Sequence, residues 1–406
     1  MSDDEPRSWG PFVLVVLTLA AGAMGATMAS PLFPIYEATW GIGHATVTLL
    51  YVAYMAGVLG GLMFLTQLTG RFGAIRMLRL GGGLLVVGLL FSALATGPLT
   101  LTPARVLVGV ASGLVTSAAT LGLPRLEPAA GEIAPLVASC TTMAGFGLGP
   151  MVCGLLAQFA PAPLATPYLV VLAVVGALVL GLARTPADPG LDPEAGPGTR
   201  PGLAPRLGLP APGRVGVFLV AAFATFSAYA LFSLLASLAP SFLPMILPWH
   251  GPAVSGFAIG LVLACSALAQ LPARRLPPRR CLGLALCLLA IGALALALAM
   301  HFRRAEIFVL ADLAIGSGHG LAFLAGMTLI SLIAPGAKRA PVLSSHLCVA
   351  YLGAILPILA VGRLADGIGL APAVIAFCAT FALICSVLLG LSRRVGGLDM
   401  ATDTPR

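Results

Sequence analysis

Five ionisable side chains stand inside apolar surroundings or at their edge: Arg105, Asp312, His319, His346 and Glu37. A charge placed in lipid is costly, so each is a functional candidate by default. Arg105 is followed at helical spacing by Gly109, Ser112 and Gly113, and Asp312 by Gly316, His319, Gly320 and Phe323. Each therefore heads one face of a helix. If those faces line a common cavity, proton uptake by Asp312 weakens its attraction to Arg105, which is one route to proton coupling; the alternative is a structural ion pair. His319 and His346 suit proton relay near neutral pH, or serve as hydrogen-bonded packing residues. Glu37, close to Trp40 and His44, is either a coupling acid or a marker of the membrane interface. Tyr51, Tyr54, Phe226 and Tyr229 offer rings to an amphipathic or aromatic cargo, with ordinary helix packing as the alternative.

Other chemistries find no foothold. The eight cysteines fall within or at the ends of apolar runs, without CxxC or Cys/His metal spacing, and read as small packing residues. No phosphate loop of the form GxxxxGK[ST] occurs, and Ser344 and Ser345, near His346, have no acid partner in sequence. Neither a cofactor, a metal site, an ATP-driven pump nor an enzyme is expected.

The elements that must position these residues follow from composition. Of 406 residues, 59% are hydrophobic and 9% charged, against about 25% charged in soluble domains, and mean hydropathy is +1.04. Such a chain faces hydrocarbon as well as water. Apolar runs recur at residues 11–34, 45–69, 78–97, 101–123, 133–159 and 167–183, then at 215–243, 253–272, 281–301, 306–334, 342–363 and 372–391. Each is close to the roughly 20 residues that cross a bilayer, and backbone pairing in lipid requires helices. An all-α integral membrane protein with twelve transmembrane helices follows. The acidic start, with Asp3, Asp4 and Glu5 against Arg7, is a poor signal-peptide opening, so the first run is expected to be retained as a helix.

Residues 184–214 are dense in proline and glycine and read as a tether. They divide the chain into an N-terminal six-helix bundle, 1–183, and a C-terminal one, 215–406. Internal similarity supports two pseudo-symmetric halves. The Arg105/Gly109/Ser112/Gly113 register matches Asp312/Gly316/His319/Gly320, the first run ends SPLFP where the seventh ends APSFLP, and Gly149/Pro150/Gly154 parallels Pro357/Gly362. Of 22 lysines and arginines, 18 fall on the side that holds both termini, leaving Arg105, Arg303, Arg304 and Arg363 elsewhere. By the positive-inside rule both termini are cytoplasmic. The net charge of +8 thus reflects topology and not a nucleic-acid partner. Arg363 and Asp366, at the outer end of the eleventh run, are expected to pair locally or stay solvated.

In the fifth run, Gly145-x-x-x-Gly149-Pro150-x-x-Cys153-Gly154 combines small residues four apart, which admit a neighbouring helix, with a proline that permits a bend. This run resembles GxxxGPxxGG, the antiporter signature of the major facilitator superfamily, with Cys153 in place of one glycine. Arg105-x-x-x-Gly109 resembles that family's arginine motif. The loop after the second run resembles GxLaDRxGRR in part: Arg71 and Gly73 match, while Thr66, Gly70 and Ala74 replace the usual glycine, aspartate and arginine. Residues 30–57 further resemble a branch of bacterial facilitators. The resemblance covers essentially the whole chain. It implies a monomeric secondary transporter of the bacterial cytoplasmic membrane, which moves a small molecule by alternating access. Antiport with protons, and hence efflux, is the favoured form. Symport or uniport uptake is the alternative within the fold, and a non-transporting receptor or scaffold the alternative outside it.

Overall fold

The computed structural model describes residues 9–65, 68–69, 72–128, 133–186, 207–334 and 336–395. Arg71 and most of the proline-rich segment therefore lie outside the described residues. Within them the chain is helical, with no strand.

Among the described residues, thirteen α-helices make twelve spans long and apolar enough to cross a membrane. The first span is two helices, α1 (Trp9–Thr27) and α2 (Phe33–Trp40), joined through a 3₁₀ turn at Ser30–Leu32. Pro31 and Pro34 lack the amide hydrogens that a continuous helix would use there. Next come α3 (His44–Gly60), which runs on through a π turn at Gly61–Leu65, α4 (Ala74–Ala93), α5 (Pro98–Leu126), α6 (Ala134–Phe159) and α7 (Thr166–Arg184). The second half is α8 (Val215–Phe242), α9 (Pro252–Ala273), α10 (Pro278–Phe302), α11 (Ala305–Ile333), α12 (Arg339–Ile368) and α13 (Leu370–Ser392).

The helices gather into two compact units. One holds the described parts of Met1–Leu32 and Ala53–Pro205, the other Phe33–Val52 and the described parts of Arg206–Arg406. Helix α3 thus contributes its first turns to the second unit and the rest to the first. In the first unit α1 packs on α5 and α6, and α4 packs on α5 and α7. In the second, α8 packs on α11 and α12, and α10 packs on α11 and α13. This is one packing plan used twice, and it gives the repeated sequence register its physical meaning.

Arginines finish the helices in the same repeated way. Arg79 of α4 donates from Nε to Leu182 O at 2.9 Å and from Nη2 to Thr185 O, at the end of α7. Arg279 of α10 donates to Arg393 O at 3.1 Å, just past α13. The last carbonyls of a helix have no intrahelical donor, and a cation there also suits the helix dipole. At Gly73 φ is +86°, a region that favours glycine, so this residue of the loop motif shapes the entry into α4. The end of the proline-rich segment is seated on α12: Gly208 N donates to Pro341 O at 3.1 Å and to Ser345 Oγ at 3.0 Å. From Gly208 on, the tether expected from composition is therefore anchored.

Candidate functional site

In the first unit the site begins with a glycine. A Cβ on Gly109 would lie 2.2 Å from Tyr54 O, and one on Gly113 would lie 2.9 Å from Val58 O. Only the missing side chains let α3 and α5 touch backbone to backbone. That approach carries the Tyr54 ring to 4.8 Å from the guanidinium carbon of Arg105. Arg105 is 1% exposed and donates from Nη1 to Gly25 O at 3.4 Å, near the end of α1. A cation over an aromatic face, with a carbonyl acceptor beside it, is a stable way to bury an arginine.

The second unit repeats the device with different chemistry. A Cβ on Gly316 would lie 2.5 Å from Val262 O, and one on Gly320 would lie 2.0 Å from Ser266 O. Helices α9 and α11 are thereby in backbone contact, which sets Ser266 Oγ 3.0 Å from His319 Nδ1. The rings of Tyr229 and Phe232, on α8, each have centroids 5.3 Å from the His319 ring, and Tyr351 of α12 stands 5.7 Å from Tyr229. Phe226, three residues before Tyr229 on α8, has ring contacts to Phe223 and Phe381.

Asp312 lies seven residues before His319 on α11. It is 1% exposed, and both carboxylate oxygens are buried without a hydrogen-bond partner among the described residues. An ionised carboxylate so placed would be expensive; binding a proton removes that cost. His346 is fully buried, with Nε2 3.4 Å from Thr225 Oγ1, and its Nδ1 has no partner among the described residues.

Glu37 lies apart from these groups, in a polar cluster of the second unit. Its Oε1 is 2.6 Å from His44 Nδ1, and its Oε2 accepts from Ser241 Oγ at 2.8 Å. Asp366, expected to pair with Arg363 or stay solvated, instead accepts from the backbone amides of His44 and Ala45 at 2.7 and 3.1 Å. It caps the start of α3, where amides lack intrahelical acceptors. Tyr51 places its hydroxyl 3.2 Å from Ser233 Oγ. Tyr51 and Tyr54, three residues apart on α3, therefore serve different units.

The glycine–proline motif of α6 is a packing surface. A Cβ on Gly145 would lie 2.6 Å from Ala20 O, and one on Gly149 would lie 2.5 Å from Met24 O. Pro150 and Gly154 are buried in the same helix, and Thr27 Oγ1 donates to Phe146 O at 2.7 Å. Sequence reasoning did not single out Ser266, Thr225, Phe232, Tyr351 or Ser241, because their partners are far away in the chain. Nor did it single out Glu127, which accepts from Ile133 N and Ala134 N, both at 3.1 Å, and so caps α6.

Among the described residues, twelve spans gather into two units with one packing plan, each with a buried ionisable residue beside a glycine-mediated helix contact. The chain belongs to the Major Facilitator Superfamily, whose family model matches residues 15–356. It is thus a multi-pass secondary transporter of small molecules and not an enzyme. Among curated proteins none matches it. Solved structures similar to it include a variant of the nucleoside transporter NupG, at 13% identity and TM-score 0.72, covering 98% of this chain and 100% of that one. A bacterial homologue of the human lysosomal transporter Spinster, inward-facing and occupied, is 16% identical with TM-score 0.70, covering 97% and 98%. A POT family transporter in complex with 5-aminolevulinic acid is 13% identical with TM-score 0.75, covering 98% of each chain. At these identities the likeness is one of fold.

Proposed function

We propose that the protein is a proton-coupled antiporter that exports a small molecule by alternating access, with Asp312 as the group that binds and releases the proton. The observation that carries this reading is the buried carboxyl of Asp312, whose two oxygens have no partner among the described residues. A structural acid would be given donors; an acid that must alternate between charged and neutral forms is better served by a site that tolerates the neutral one. Arg105, held by Tyr54 and Gly25 O, is the fixed cation of the first unit. Small residues on α6 support export, because its run resembles an antiporter signature. The Lys/Arg distribution supports a bacterial cytoplasmic membrane with both termini inside, and the paired halves within one chain support a working monomer.

The test is transport in proteoliposomes. Purified protein is reconstituted with an internal pH dye and offered uridine, a dipeptide and 5-aminolevulinic acid, compounds of the kinds named for its structural neighbours, followed by hits from a wider binding screen. Antiport predicts that a transported solute moves protons the opposite way. An Asp312→Asn variant should keep cargo binding and solute exchange at equal pH but lose pH-driven accumulation. Because the carboxylate has no hydrogen-bond partner among the described residues, the variant's melting temperature should stay at or above that of the parent protein. Normal pH-driven accumulation by this variant would remove Asp312 from coupling, and protons moving with the solute would replace antiport by symport.

A further inference from the structure

Helix α3 is divided between the two units without a residue at which it would bend. His44, Thr48 and Tyr51 meet the second unit, and from Tyr54 on the helix is seated on α5 of the first. Residues 44–56 hold neither proline nor glycine, the residues at which helices usually kink. Alternating access nevertheless requires the two halves to move against one another, so one set of α3 contacts must yield in each cycle. The contacts with α5 are backbone on backbone: besides the seats of Gly109 and Gly113, a Cβ on Gly57 would lie 2.3 Å from Val106 O. Separating them forfeits close packing that water does not replace. The contacts with the second unit are largely hydrogen bonds, which water takes over at small net cost. They are the set that yields.

These contacts gather at the face opposite the termini, because the end of α2, the start of α3 and the ends of α8 and α12 adjoin the loops that follow the first, seventh and eleventh spans. Glu37 is their centre, with one oxygen on Ser241 Oγ at 2.8 Å and the other 2.6 Å from His44 Nδ1. Asp366 holds the amides of His44 and Ala45 and sits against Gly43, where a Cβ would lie 2.8 Å from both its oxygens. One turn earlier on α12, Gly362 makes room for Thr48: a Cβ there would lie 2.2 Å from Thr48 Oγ1. Helix α8 carries no Asp, Glu, Lys, Arg or His, and the charged residues at this end of α12 are Asp366 and the exposed Arg363. The groups that titrate within the junction are therefore Glu37, His44 and Asp366, and both acids act on the imidazole. We propose that Glu37, His44, Ser241 and Asp366 form a proton-sensitive latch, which holds residues 33–52 to α8 and α12 and is released by acid on that face. With both acids ionised, every donor of the latch has its acceptor. A proton on Glu37 or Asp366 turns one acceptor oxygen into a donor and so breaks a contact. Loss of the His44 proton at higher pH has a smaller effect, since neutral imidazole still offers an N–H to Glu37 without the charge assistance. The latch rests on the alternating-access part of the transport reading and is independent of Asp312.

Pulsed electron paramagnetic resonance on the purified full-length protein in lipid nanodiscs tests this without cargo. Spin labels at Thr39→Cys and His250→Cys, both exposed positions, in an otherwise cysteine-free variant report the distance from α2 to the segment after α8. A short distance should dominate at neutral pH, and acidification should move population to a longer one. Glu37→Gln and Ser241→Ala should each raise the ratio of long to short distances at neutral pH roughly tenfold, the scale of one hydrogen bond to a charged group. The response to acid should shrink in Glu37→Gln and vanish in Glu37→Gln/Asp366→Asn. Gly362→Val, which displaces Thr48 by packing alone, should open the junction and keep the acid response. Ser241→Ala removes only a hydroxyl and serves as the second probe if the Glu37 variants fold poorly. Distances that do not change with pH in the parent, an unaltered acid response in the double variant, or unaltered distances in both Glu37→Gln and Ser241→Ala would overturn the latch. Neither cargo nor Asp312 enters the measurement, so failure of the latch leaves the coupling acid in place, and failure of the coupling acid leaves the latch.

Discussion

Arg105 and Asp312 occupy matching positions of the repeat and are treated in opposite ways. Arg105 has an aromatic face and a carbonyl; Asp312 has its oxygens buried without a donor among the described residues. In the mechanism proposed above, the difference separates a residue that anchors from one that switches. For the anchor, Arg105→Lys keeps the charge but loses the planar group that spreads over Tyr54. It should lower stability in detergent by about 1–2 kcal/mol, the scale of a desolvated cation–π contact. Arg105→Ala, which also strips the packing of a long side chain, should cost more. Melting followed by intrinsic fluorescence checks both, and equal melting of parent and Lys variant would mean that the stacking contributes nothing. In sequence these two residues differ in sign; their different surroundings appear once their neighbours are known.

At the scale of elements, glycine decides which helices meet. Gly109 and Gly113 seat the backbone of α3, and Gly316 and Gly320 seat the backbone of α9. Replacing Gly109 or Gly320 by leucine should abolish a stable fold or drop activity to background. Gly176→Leu, on a face of α7 with nothing within 4 Å of the added Cβ, should leave both intact. Monodispersity on size exclusion and transport rate read the contrast, and a well-folded, active Gly320→Leu would refute the close approach. Capping is the second device at this scale. Asp366→Asn replaces the carboxylate on the first amides of α3 by a weaker acceptor, and Asp366→Ala removes it. The alanine variant should loosen the first turn by about 1 kcal/mol, visible as faster amide exchange confined to residues 44–47. Unaltered exchange there would mean that the cap is dispensable. The glycine spacing was legible in sequence as a packing motif, whereas the cap was not, since Asp366 lies 321 positions after Ala45.

Over the whole molecule, the two units share a packing plan while their buried groups differ. Stability needs the repeated contacts of α1 with α5 and α6, and of α8 with α11 and α12; transport needs only that the inward-facing residues suit a cargo. Both termini should lie on the cytoplasmic side. A cysteine added at either end of a cysteine-free variant should react with a membrane-impermeant maleimide in inverted vesicles and stay protected in intact cells. Labelling of the two ends from opposite sides would contradict an even number of crossings.

Hydropathy determined the number of spans and the membrane setting, because each depends on what a stretch of chain does in lipid by itself. The register of Arg105 through Gly113 against Asp312 through Gly320 revealed the repeat for the same reason: a helix face is a local property. Tertiary structure alone decided that Phe33–Val52 packs with the second unit and that Glu37 is tied to His44 and Ser241. It alone decided that Asp366 caps a distant helix, and that of two helix histidines His319 lies against the rings of Tyr229 and Phe232 while His346 faces Thr225. Those outcomes depend on which helices touch. Apolar faces that are nearly interchangeable in lipid do not encode their partners in any local stretch of sequence.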